Sequence, residues 1–199
     1  ADVNATNNKG ETALMMFCTK EDERIVTQLI EAGADLNTKD YSGKTAQTIA
    51  GENGHEAVVK QLTEAIKVHE LMEACRKGRG TIDSQLITRV DINTRNQALM
   101  IACSYGHEAA IPQLIEAGAD VNAKNTGSGW TALHAAAFQE HGKVVMKLMQ
   151  KGADMFVSLF ASAEGARRVC FHYVASLRRR QFLGQFLRHQ ISSMLRSLI

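Results

Sequence analysis

Apolar positions along this chain fall into short helical bursts that come in pairs. Ala132-Leu133-His134-Ala135-Ala136-Ala137 predicts a short, small-sided first helix that lets neighbouring helices approach closely. Breaks such as Gly54-His55 and Gly106-His107 precede a second helix with a Val/Ile/Leu stripe. Val58, Val59 and Leu62 form one such stripe, and Val144, Val145 and Leu148 another, each on a single helix face. Thr12, Thr45 and Thr131 stand just ahead of the first burst, where a hydroxyl can accept from the orphan amides of a first helical turn. Gly33, Gly118 and Gly152 close the second, because glycine adopts a left-handed C′ conformation cheaply.

The pairs repeat. Ala1-Asp2-Val3-Asn4 returns as Ala34-Asp35-Leu36-Asn37, and Gly10-Glu11-Thr12-Ala13 as Gly43-Lys44-Thr45-Ala46, both 33 residues on. Leu29-Ile30-Glu31-Ala32-Gly33-Ala34-Asp35 returns almost verbatim at 114–120 and, degraded, at 148–154. One pair cannot cover its own apolar face, so burial requires stacking and predicts an all-α solenoid. The opening four residues read as the end of a repeat whose beginning is missing. The pattern over residues 1–154 resembles the ankyrin-repeat family, whose unit is a hairpin-like turn and two antiparallel helices with a threonine-proline-leucine-histidine start. Thr131-Ala132-Leu133-His134 matches that start best, and alanine replaces the proline in all three repeats that keep the threonine.

The leucine of the first helix gives the repeat ruler: Leu14, Gln47 in its place, Leu71, Leu99 and Leu133, stepping by 33, 24, 28 and 34. About five repeats follow from it. After Leu62, Ile66-Lys67-Val68 replaces the expected Gly-Ala-Asp, so helix stop and hairpin vanish together. Residues 64–70 are therefore expected to be a junction, either a kink or the start of a second stack, with a cap-like third repeat. The turn at 90–97 is shortened and lacks glycine, and Pro112 is expected to kink the second helix of repeat four. The expected organisation is repeats one and two at 1–67, repeats three to five at 68–154, and a basic, Arg-rich helical tail at 155–199.

Charge changes the picture only at that tail. The net charge is +2, yet residues 155–199 hold seven Arg and a single acid, Glu164, while the rest carries 16 basic and 20 acidic side chains. Phe182, Leu183, Phe186, Leu187, Ile191, Met194, Leu195 and Leu198 recur there at helical spacing among arginines. Three readings fit: a cap over repeat five, a basic amphipathic helix for an anionic membrane or a calmodulin-like partner, and a different reading frame fused after a damaged repeat. No apolar run is long enough to span a bilayer. Cys18, Cys75, Cys103 and Cys170 form no CxxC pair; the first three sit at apolar helix positions and predict buried free thiols in a reducing, cytoplasmic setting.

The chemistry-bearing residues read as scaffold. His55, His107 and His141 occupy the glycine-histidine position or its equivalent, where the ring bonds between helices, and His134 belongs to the start motif. No zinc spacing, phosphate loop or nucleophile elbow is present. Thr126-Gly127-Ser128-Gly129 reads as a one-residue insertion in the turn of repeat five. Glu21-Asp22-Glu23 reads as solvated charge favouring a helix dipole. No catalytic residue, cofactor or metal is expected.

The family resemblance implies binding through hairpin tips and the outward positions of the first helices. Carried over, these are Lys9, Glu11 and Lys20 in repeat one; Tyr41, Ser42 and Lys44 in repeat two; and Arg76 and Lys77 in repeat three. Repeat four gives Arg95, Ser104 and Tyr105, and repeat five Thr126, Trp130, Phe138 and Gln139. The single Trp and two of the three Tyr fall on this ridge, where aromatics serve as interface anchors. Tyr41, Tyr105, Trp130 and Phe138 are expected to line a concave face. The expected function is a monomeric protein–protein interaction scaffold for a protein or peptide, with no nucleic acid and no membrane except through 178–199. The alternatives are an accessory ankyrin domain of a larger enzyme or bacterial effector, and membrane-surface attachment through the tail.

Overall fold

A computed structural model describes residues 2–78 and 82–154. The expected tail, with its arginines, Cys170 and apolar stripe, lies outside the described residues. Those described form helices α1 (Ala13–Cys18), α2 (Glu23–Glu31), α3 (Ala46–Glu52), α4 (Glu56–Lys77), α5 (Ser84–Thr88), α6 (Ile92–Ser104), α7 (Ala110–Glu116), α8 (Ala132–Phe138) and α9 (Gly142–Gln150). The class is all-α. Among the described residues the one β feature is an isolated bridge between Thr6 and Thr12.

The helix ends follow from the residues singled out in the sequence. Thr12 Oγ1 accepts from the Met15 amide at 3.4 Å and Thr45 Oγ1 from the Thr48 amide at 3.3 Å. Thr131 forms a reciprocal capping box with His134, whose Nδ1 accepts from the Thr131 amide at 3.1 Å. The α2, α7 and α9 ends share one motif. Gly33, Gly118 and Gly152 have φ of +85°, +95° and +89°, and the next amide reaches back to the Leu29, Leu114 or Leu148 carbonyl at 2.9 Å.

The chain divides into two compact units between Leu71 and Met72. In the first, α1 packs on α2 and α3. Its core joins Leu14, Met15, Cys18, Val26, Ile49, Ala50, Val58 and Leu62. Ile66 stands where the other second helices carry their stop glycine, and with no left-handed residue there α4 runs on to Lys77.

In the second unit, α6 packs on α7 and α8, and α9 packs on α8 and α7. Leu99, Ala102, Cys103, Ile111, Leu114, Leu133, Ala136, Val145 and Leu148 are buried. The shortened turn of repeat four is absorbed into helix. Asp91 caps α6, accepting from the Thr94 amide at 2.6 Å, and the helix then runs 13 residues. Pro112 does not interrupt a helix. It is the third residue of α7, where an amide would have no intrahelical acceptor to lose.

Candidate protein-interaction surface

Three hairpins share one side-chain lock. Asn7 Oδ1 accepts from the Lys9 and Glu11 amides at 2.9 and 3.0 Å. Asp40 Oδ1 accepts from the Ser42 and Lys44 amides at 2.9 and 2.8 Å, and from the Ser42 hydroxyl at 2.7 Å. Asn125 Oδ1 accepts from the Ser128 amide at 2.8 Å and the Trp130 amide at 3.3 Å. An Asx carboxyl or amide oxygen thus replaces backbone partners at each tip. The Ser42 hydroxyl, then the Lys44 amide, holds the Asp40 carboxyl below its usual range. The third hairpin closes its turn from Asn125 to Gly129, one residue longer than Asn7 to Gly10 or Asp40 to Gly43, which is the insertion expected at Thr126–Gly129.

Histidine and asparagine rungs join one repeat to the next within each unit. His55 Nε2 lies 3.3 Å from the Thr19 carbonyl in the first unit. In the second, His107 Nε2 lies 3.0 Å from the Arg76 carbonyl and His141 Nε2 3.0 Å from that of Ser104. The three rings therefore serve the inter-helix bonding expected of them. Asn4 Oδ1 accepts from the Asp35 amide at 2.8 Å, Asn96 Oδ1 from Asp120 at 2.7 Å, and Asn122 Oδ1 from Asp154 at 2.7 Å. Asn96, Asn122 and the hairpin Asx residues were not singled out in the sequence, and Asn4 figured there only within its repeated tetrapeptide. Their signal was the spacing of 33 that separates Asn4 from Asn37 and Asn7 from Asp40.

In the first unit Lys9, Lys20, Tyr41 and Ser42 are exposed, while Glu11 and Lys44 are half-buried. Tyr41 is 80% exposed, and its ring lies against Gly10, where a Cβ would meet it at 2.8 Å. Its amide bonds the Lys9 carbonyl at 3.1 Å, tying one hairpin to the next. Lys20 Nζ sits 5.4 Å from the Phe17 ring centroid. Glu11 Oε2 accepts from the Asn7 side chain at 2.8 Å. Lys44 pairs with Glu52 at 2.5 Å, and that hydrogen bond raises the lysine's pKa. Met16, 45% exposed on α1, belongs to this surface and was not expected. Helical spacing could have found it, since Met16 lies off the stripe of Leu14, Met15 and Cys18.

In the second unit two of the aromatics meet. The Trp130 and Phe138 rings meet at 5.3 Å between centroids with a 57° tilt, and Trp130 stacks on His134 at 6.1 Å. Phe138 is 53% exposed. Tyr105, 52% exposed, stacks nearly parallel on His107 at 6.2 Å. Gln139 and Thr126 are exposed, and Ser104 is half-buried with its hydroxyl on the Met100 carbonyl at 2.9 Å. Arg95 stands apart. Expected at a turn, it lies inside α6, and its guanidinium donates to the Val90 carbonyl at 2.8 and 3.1 Å and to the Ala117 carbonyl at 2.6 Å.

Cys18, Cys75 and Cys103 are buried free thiols. Burial pushes Cys18 and Cys75 from 9.0 up to about 11. Cys103 is raised further, by burial first and by Cys75 second. Among the described residues no helix is long and apolar enough to cross a membrane.

Comparison with known proteins agrees with this geometry. The profile of ankyrin repeats (three copies) matches residues 1–70 and again 71–158. The ankyrin repeat and KH domain-containing protein mask-1 of Caenorhabditis elegans is 30% identical over 78% of this chain. An L-asparaginase of Dirofilaria immitis is 29% identical over 68%, and NF-kappa-B inhibitor alpha of Gallus gallus 30% identical over 78%. The chain spans 6%, 25% and 45% of those three proteins. Ankyrin repeats are in general protein-interaction modules. With paired helices locked by glycine stops, Asx hairpins and histidine rungs, and with the profile matched across both units, this chain belongs to the ankyrin-repeat family.

Proposed function

We propose that this chain is a protein–protein interaction scaffold that grips a protein or extended peptide on its hairpin tips and first-helix ends. The observation that carries the proposal is the aromatic group of the second unit. Tyr105 and Phe138 leave half their surface to solvent, and Trp130 braces Phe138 from the hairpin. Large rings with fixed orientation lose little entropy when covered, which makes them binding anchors. Lys9, Glu11, Lys20, Tyr41, Ser42 and Lys44 form the corresponding contact group in the first unit, and Ser104, Thr126 and Gln139 accompany the aromatics in the second. Arg95 is left out because its hydrogen bonds are spent inside the fold.

The scaffold has no catalytic role in this reading, since its recurring histidines are committed to backbone carbonyls. The setting is a reducing, cytoplasmic one, supported by three buried free thiols, and the working form is a monomer. The name of the Gallus gallus relative, an NF-kappa-B inhibitor, describes a protein that acts on another protein. Affinity capture with the whole chain tests the proposal. The double variant Tyr105→Ala/Phe138→Ala should keep the helical circular dichroism and lose its captured partners, whereas unchanged capture would place the site elsewhere. A second reading, an accessory domain of a larger enzyme, has one observation behind it: the L-asparaginase likeness. The sequence of the full open reading frame separates the two.

A further inference from the structure

The histidine rungs of the second unit fix more than stability. His107 on the Arg76 carbonyl and His141 on the Ser104 carbonyl, both at 3.0 Å, set three first-helix ends in register. One row then reads Arg76, Ser104, Phe138 and its neighbour Lys77, Tyr105, Gln139. The Arg76 and Lys77 side chains are 48% and 58% exposed, and both pair with a single carboxylate, Glu73. Two cations sharing one anion leave a net positive end. Along the row from it stand the exposed rings of Tyr105 and Phe138.

We propose that these rows read an extended peptide that offers an acidic residue to Arg76 and Lys77 and apolar residues to Tyr105, Phe138 and Trp130. This rests on the scaffold reading above and names the partner's chemistry. Charge fixes the direction: an acid is attracted at the Arg76 end. Packed helices lie about 8–10 Å apart, so three ends cover about 16–20 Å. An extended chain rises about 3.3 Å per residue, which sets the acid about three residues from one apolar anchor and about six from the next.

The test probes an array of immobilised random dodecapeptides with the full 199-residue chain, then measures anisotropy of the labelled binders. Binders should carry Asp or Glu at the stated spacing from aliphatic or aromatic residues. Arg76→Glu/Lys77→Glu should weaken them about tenfold, with steep salt dependence in the parent, and peptides with Lys for the acid should regain affinity on the reversed variant. Both residues are exposed, and the milder Lys77→Gln should show a smaller loss in the same direction. Binders without acids, indifferent to the reversal yet lost on Phe138→Ala, would overturn the acidic partner while leaving the scaffold reading intact. Binding indifferent to Tyr105→Ala and Phe138→Ala as well would overturn both.

Discussion

Gly106 and Gly152 share a left-handed backbone, at φ +76° and +89°, but not their surroundings. A Cβ at Gly152 meets nothing within 4 Å, whereas one at Gly106 would lie 2.9 Å from the His141 ring. Gly152→Ala should therefore cost about 1 kcal/mol of backbone strain. Gly106→Ala should cost clearly more, because the ring must also leave the Ser104 carbonyl; equal urea midpoints for the two variants would show that the rung is not held by this contact. The thiols give a second expectation at this scale. Cys18 and Cys75 hold their protons to about 11 in the fold against 9.0 otherwise, so the folded state retains protons that the unfolded chain has released. Stability should be intact below 9.0 and decline as pH climbs toward about 11, a trend that urea titration at rising pH reads directly.

At the level of elements, α6 shows how a repeat survives losing its hairpin. Arg95 fills the gap by tying the Val90 and Ala117 carbonyls together, so Arg95→Ala should cost about 1.5–3 kcal/mol, visible as a lowered melting temperature. Arg95→Lys should recover little, since an ammonium cannot span both carbonyls. Peptide affinity should be unchanged in the Lys variant. Much of this architecture was legible beforehand. Glycine stops, threonine caps and the histidine positions declare themselves because each repeats the same local chemistry. Arg95 did not, because its role depends on where the Ala117 carbonyl comes to rest, 22 residues away. Pro112 was legible as a helix breaker, but its cost depended on where α7 begins. Of the surface, Tyr41, Tyr105 and Phe138 were readable from the repeat register. Met16 was legible too, through its place off the apolar stripe, but was not expected.

For the whole molecule, stability in a repeat protein sums helix pairs and the interfaces between neighbours. Leu99 is 1% exposed on α6, the helix that packs on both α7 and α8. Leu99→Ala should cost about 2–5 kcal/mol by chemical denaturation. Such a loss lowers the populated fraction of an intact surface as well as the fold, so affinity of this variant must be compared at equal folded concentration. The meeting of Trp130 with Phe138 has a practical corollary. Because the sequence has a single tryptophan, indole emission is a built-in optical reporter confined to one edge of one unit. A ligand settling over that edge should shift its colour and shield it from iodide.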